Sequence, residues 1–92
     1  MIRRFRHKGL GDFFRTGSRA GILAAHAERL RLVLAILNAA ATPGDVAIPG
    51  LRLHSLKGIR TGTWSVSISA NWRVTFRFED SDATDVDYED YH

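Results

Sequence analysis

Ninety-two residues provide for one domain with a single core, and a composition of 45% hydrophobic and 25% charged residues excludes a disordered chain. The absence of cysteine excludes a disulfide framework and any thiolate metal site. The net charge of +3 hides a polarised distribution: Arg3, Arg4, Arg6, Lys8, Arg15 and Arg19 open the chain, Arg52, Lys57, Arg60, Arg73 and Arg77 follow with no acid between them, and most acids gather at 79–90. That pattern suits a polyanion held on one face, and a solvated basic surface explains it equally well.

The first residues, MIRRFRHKGLGDFF, lack the apolar run of a signal peptide, and no stretch approaches a membrane span, so a cytoplasmic protein without membrane contact is expected. IRRF alternates apolar and basic residues and predicts a short strand. KGLGDFFRTG predicts a helix with Leu10, Phe13 and Phe14 on one side and Gly17 as its stop, although Gly9 and Gly11 weaken it. The segment ILAAHAERLRLVLAILNAAATPG predicts a longer helix, with Leu23, Leu30, Val33, Leu34, Leu37 and Ala41 as its buried stripe and Pro43–Gly44 as its end. Leu32 and Ile36 fall outside that stripe, so the helix is expected to be covered on two sides, by the sheet and by either the first helix or a partner.

Period two then takes over. GLRLHSL predicts a strand and KGIRTG a loop. TWSVSIS sets Trp64, Val66 and Ile68 on one face and Thr63, Ser65, Ser67 and Ser69 on the other. NWRVTFRF sets Trp72, Val74, Phe76 and Phe78 inward and Arg73, Thr75 and Arg77 outward; ATDVDY turns Val86 and Tyr88 inward. The fold class is α+β: a short N-terminal strand, two helices and an antiparallel meander of three to four strands with the helices packed on one face, all one domain over 1–92. The uncovered face would then carry basic and hydroxyl side chains suited to phosphate.

Four positions on or near that face invite a mechanism. His54 and His92 can move protons near neutral pH. Metal-free RNA cleavage needs one group to take the 2′-hydroxyl proton, another to protonate the leaving 5′-oxygen, and fixed cations beside the phosphorane. Lys57 and Arg73 would supply those cations. Arg52, Arg60, Arg77 and Thr75 are the candidate phosphate-binding residues around them. Each position also has a plain reading as a surface residue, and His92 one as a frayed end. His26 reads as a packed or capping histidine and His7 as one without an obvious partner. No spacing suggests a metal site, and no cofactor is expected.

FRHKGL, then LHSLKGIRTGTWSVSISANWRVTFRF, then the closing YEDYH resemble the HigB-type toxins of the RelE/ParE superfamily, the toxin halves of type II toxin–antitoxin pairs, over nearly the whole chain. The resemblance implies a RelE-like fold and an endoribonuclease that cuts mRNA in the A site of the 70S ribosome. It implies as partner a HigA-type helix-turn-helix antitoxin, with operator DNA met only through the toxin–antitoxin complex. It places His54, Lys57, Arg73, Asp90, Tyr91 and His92 in the catalytic set, with an ordered terminus in which Asp90 holds or polarises an imidazole and Tyr91 positions RNA or lends its hydroxyl to the phosphate. The chain departs from the family pattern in Ser81, where a glycine is common in the hairpin, and in its more apolar long helix. Two other readings are a ParE-type inhibitor of DNA gyrase, whose class lacks the histidine, lysine and arginine set, and a non-catalytic RNA- or ribosome-binding module.

Overall fold

Alternation of apolar and polar residues after position 62 builds a sheet with one dry face, and the two helical segments supply its cover. The computed structural model describes residues 1–90. Its elements are α1 (Lys8–Thr16), α2 (Ala27–Ala39), β1 (His54–Ser55), β2 (Trp64–Ser69), β3 (Trp72–Glu79) and β4 (Asp82–Asp90), with single 3-10 turns at Ala24–His26, Pro43–Val46 and Gly58–Arg60. The strands pair in chain order, each antiparallel to the next. No described helix is long and apolar enough to cross a membrane.

The expected first strand is an extended segment with two parallel bridges to β4, Ile2 to Ala83 and Phe5 to Val86. It stops short of a continuous strand where Asp85 adopts φ 51° and the register of β4 slips against β3. The backbone bonds nevertheless close the outer edge of β4, with Arg3 N–H donating to Ala83 O at 2.7 Å and Arg6 N–H to Val86 O at 2.8 Å.

Helix α1 begins on His7, whose Nδ1 accepts from the Leu10 N–H at 3.0 Å, and ends on Gly17 at φ 81°. Its two glycines mark close approach: a Cβ at Gly9 would sit 3.0 Å from Ala20 O, and one at Gly11 3.2 Å from the Phe5 ring. In α2 the buried stripe is Ala27, Leu30, Val33, Leu34 and Leu37. The two ends of the expected stripe differ. Leu23 precedes the helix and is 47% exposed, and Ala41 lies beyond its last turn, exposed. A Thr42–Asp45 capping box with Pro43 in the next turn redirects the chain there. Ile36 is half-buried against the core, whereas Leu32 stays 54% exposed, so only part of the second covering is present within the chain.

The expected strand GLRLHSL shrinks to His54–Ser55. Gly50 at φ 93° and Arg52 at φ 53° bend the chain on either side of Leu51, which plugs the core at 2% exposure. The hairpin between β3 and β4 turns on Asp80 and Ser81, both with positive φ, so Ser81 adopts the left-handed geometry that glycine takes more easily. Val66, Val74, Phe76, Ala83, Val86 and Tyr88 meet α1 and α2 in one core, with Trp64 and Trp72 half-buried at its margin.

Candidate active site

The side chains opposite the core share a face fixed by register. His54 pairs with Ser65, Ser65 with Thr75, Ser67 with Arg73, and Arg73 with Glu89; paired residues project from the same side of a sheet. The expected polar row follows as far as Ser67, beyond which a register shift takes Ser69 out of phase.

A cleft of about 560 Å³ opens on this face, lined by Arg52, Leu53, His54, Leu56, Lys57, Ser65 and Arg73. Three different devices bring its polar groups together. His54 stands on the edge strand. Lys57 precedes the turn Gly58–Arg60, and Arg52 is aimed by its left-handed backbone. Arg73 is folded back over the β2–β3 hairpin, where its Nη1 donates to Ala70 O at 2.7 Å and Trp72 O at 3.0 Å and lies 3.4 Å from Ser67 Oγ. That bonding fixes the guanidinium without neutralising it. Among the described residues, no carboxylate lies within ion-pair distance of Arg52, Lys57 or Arg73. Three cations and an imidazole around a concavity can bind a phosphodiester and stabilise added negative charge on it.

Beside the cleft lies a group that the sequence did not single out. Glu89 receives a bidentate pair from Arg60, at 2.7 and 3.1 Å, and a hydrogen bond from Thr75 Oγ1 at 2.6 Å. The Arg60 bond holds the Glu89 carboxyl below its ordinary range, with Thr75 reinforcing it against the opposing effect of burial. This network revises the roles of two candidate phosphate ligands. Thr75 is 2% exposed with its hydroxyl committed to Glu89, so it is a floor residue, and Arg60 is braced by the same carboxylate. The missed signal was parity: Glu89 lies opposite Arg73, whereas Asp90 lies opposite Trp72, one step out of phase with the cleft face. Asp90 is exposed at the end of β4; Tyr91 and His92 fall outside the described residues. Arg77, exposed on the same face, bonds Thr63 Oγ1 at 3.2 Å and Thr61 O at 3.4 Å.

The remaining histidines are structural. His26 is 6% exposed, its Nδ1 2.5 Å from the Tyr88 hydroxyl and its ring edge-on to Trp72. His7 caps α1 and meets the Tyr88 ring edge-on at 5.3 Å.

Comparison with known proteins identifies the family. Residues 3–92 match the family model described as the RelE-like toxin of the type II toxin–antitoxin system HigB. The chain is also 41% identical, over all 92 residues and the full length of both proteins, to a protein of Proteus vulgaris named Endoribonuclease HigB. A four-stranded antiparallel sheet covered by two helices fits that family. The chain belongs to the HigB-like family of RelE-like toxins of type II toxin–antitoxin systems.

Proposed function

We propose that this toxin cuts mRNA in the ribosomal A site by attack of a ribose 2′-hydroxyl on the adjacent phosphate, without a metal ion, in the cleft formed by His54, Lys57 and Arg73. That the chain is a toxin–antitoxin endoribonuclease rests on its family and on its full-length likeness to an endoribonuclease. The observation that carries the mechanism is the gathering of one imidazole and three cations without acid partners, among the described residues, around a single concavity.

In this reading the scissile phosphate sits between Arg73 and Lys57, whose charge stabilises the phosphorane. One imidazole removes the 2′-proton as the O–P bond forms. A second group returns a proton to the 5′-oxygen as the old O–P bond breaks, leaving a cyclic phosphate and a free hydroxyl end. His54 and His92 are the proposed proton-transfer pair, in either order, with Asp90 and Tyr91 supporting the terminus. Arg52 grips a flanking phosphate. Neutralisation by a HigA-type helix-turn-helix antitoxin and action in the cytoplasm complete the proposal.

The test is primer extension on a defined mRNA in a reconstituted translation reaction, run with wild type, His54→Ala and His92→Ala, with and without ribosomes. Discrete cuts within the reading frame that require ribosomes and fall by about 100-fold or more in each variant are expected. Undiminished cutting by His54→Ala would remove the cleft from the mechanism.

A further inference from the structure

A second concavity of about 300 Å³ lies on the same face of the sheet, lined by Arg6, Ile59, Arg60, Thr63, Thr75, Arg77 and Asp85. Its members come from the N-terminal segment, the loop after β1 and strands β3 and β4, so no local sequence motif announces it. Three carboxylates stand on or beside this face: Asp85 pairs with Arg4 at 2.7 Å, Glu89 with the lining Arg60 at 2.7 Å, and Asp87, opposite Thr75, accepts from the Tyr88 N–H at 2.9 Å. Arg6 adds a through-space pull on Glu89 but, like Arg77, makes no ion pair within 4.0 Å among the described residues. Four guanidiniums, of Arg4, Arg6, Arg60 and Arg77, therefore face three carboxylates, leaving a local surplus of one positive charge with Arg6 and Arg77 outside any ion pair among the described residues.

Arg77 is also held in place. It bonds Thr63 Oγ1 and Thr61 O, and the loop passes so near that a Cβ on Gly62 would lie 3.0 Å from its guanidinium. Such a braced cation binds an anion with little loss of its own freedom. The pocket and the cleft share a floor, since Ser65 of the cleft pairs with Thr75 of the pocket. Paired residues stand about 5 Å apart and stacked nucleotides advance about 3.4 Å each, so the two sites suit phosphates a few nucleotides apart on one strand. Ile59, wholly in solvent, marks the loop between Lys57 and Arg60, which line one site each.

We infer that Arg6 and Arg77 form a second phosphate site, which holds an RNA backbone while the His54 cleft acts on a neighbouring linkage; this rests on the nuclease reading above. The phosphates are those of RNA, from the cut message or from the ribosome's own RNA. Arg6 is the new member: its position, five residues from the start of the sequence, gives no sign of proximity to Arg77.

The test compares full-length wild type with the Arg6→Gln/Arg77→Gln double variant, and with Arg6→Lys/Arg77→Lys as a charge-retaining control. Thermal melting first establishes that all three are folded. Binding to 2′-O-methyl RNA of two and six nucleotides, which cannot be cut by 2′-attack, is then titrated at several salt concentrations, as is binding to vacant ribosomes. The six-nucleotide probe should lose roughly tenfold in affinity per arginine, with a salt slope shallower by about 1.4, while the dinucleotide is unaffected and lysine restores the slope. A loss confined to ribosomes supports the site and assigns the phosphates to ribosomal RNA. Unchanged affinity and slope on both hexamer and ribosome would overturn it. Because binding is read without cleavage, an inactive wild type would contradict the nuclease reading without deciding this one.

Discussion

At the scale of single residues, the carboxylate of Glu89 sets the architecture of the open face. It braces Arg60, takes the Thr75 hydroxyl, and leaves Arg73 across the register without an acid partner among the described residues. Replacing Glu89 by Gln should cost about 1–3 kcal/mol at neutral pH, because the bidentate charged pair with Arg60 is lost in a half-buried setting. The pH dependence has a definite sign. The folded carboxyl lies below the ordinary value of 4.5, so the unfolded chain binds the proton more readily. The stabilisation is complete above that value and is lost as pH falls through the folded one. Urea melts of wild type and Glu89→Gln should therefore differ at pH 7 and converge in acid; a constant gap would show that the carboxylate charge is not the cause. His54 and Arg73 share a face that strand parity makes legible, whereas Lys57 reaches the same cleft from the loop after β1, where parity says nothing. Glu89 was not legible, since it stood in an acidic run and only the β3–β4 register, with its bulge at Asp85, reveals which acid faces the cleft.

Among the elements, α2 shows where periodicity suffices and where it stops. Leu30, Val33, Leu34 and Leu37 recur at helical spacing and are buried, and the sequence alone identifies them. Leu23 and Ala41 share the stripe's phase but lie outside the helix, which a wheel drawn over a longer window cannot show. The same reasoning separates two leucines two positions apart. Leu30→Ala should destabilise by about 2–5 kcal/mol, since it removes a fully buried side chain from a close-packed core. Leu32→Gln should change stability by no more than about 0.5 kcal/mol, its side chain being 54% exposed. Chemical denaturation of the isolated toxin measures both, and comparable losses at the two positions would mean that α2 is buried differently. The strand expected at GLRLHSL was shortened for a local reason: Arg52 and Gly50 adopt left-handed backbone, which no alternation of apolar residues records.

For the whole molecule, the fold distributes charge in a way that the linear sequence only suggests. The acids of the β3–β4 hairpin neutralise the first arginines, with Arg3 bonding Asp82 at 3.1 Å and Arg4 bonding Asp85. The Arg3 bond draws the Asp82 carboxyl below its ordinary range. Cations at Arg52, Lys57 and Arg73 are thereby left to dominate the cleft, and the apparent acidic tail acts as an internal partner for the N-terminal arginines. Composition suggested a basic face, while its boundaries depended on contacts more than 75 residues apart in sequence, such as Arg3 with Asp82 and Arg4 with Asp85. In the proposed mechanism this cleft stabilises the transition state of RNA cleavage and does more than hold RNA. The most direct test is the single-turnover rate of cutting a defined ribosome-bound mRNA at saturating toxin, for wild type and Arg73→Ala. A saturated rate lower by roughly 100-fold or more is predicted, since in the proposed mechanism Arg73, held by Ala70 O and Trp72 O, meets charge that develops only in the transition state. An unchanged saturated rate, reached merely at higher toxin concentration, would contradict the claim and make Arg73 a binding residue alone.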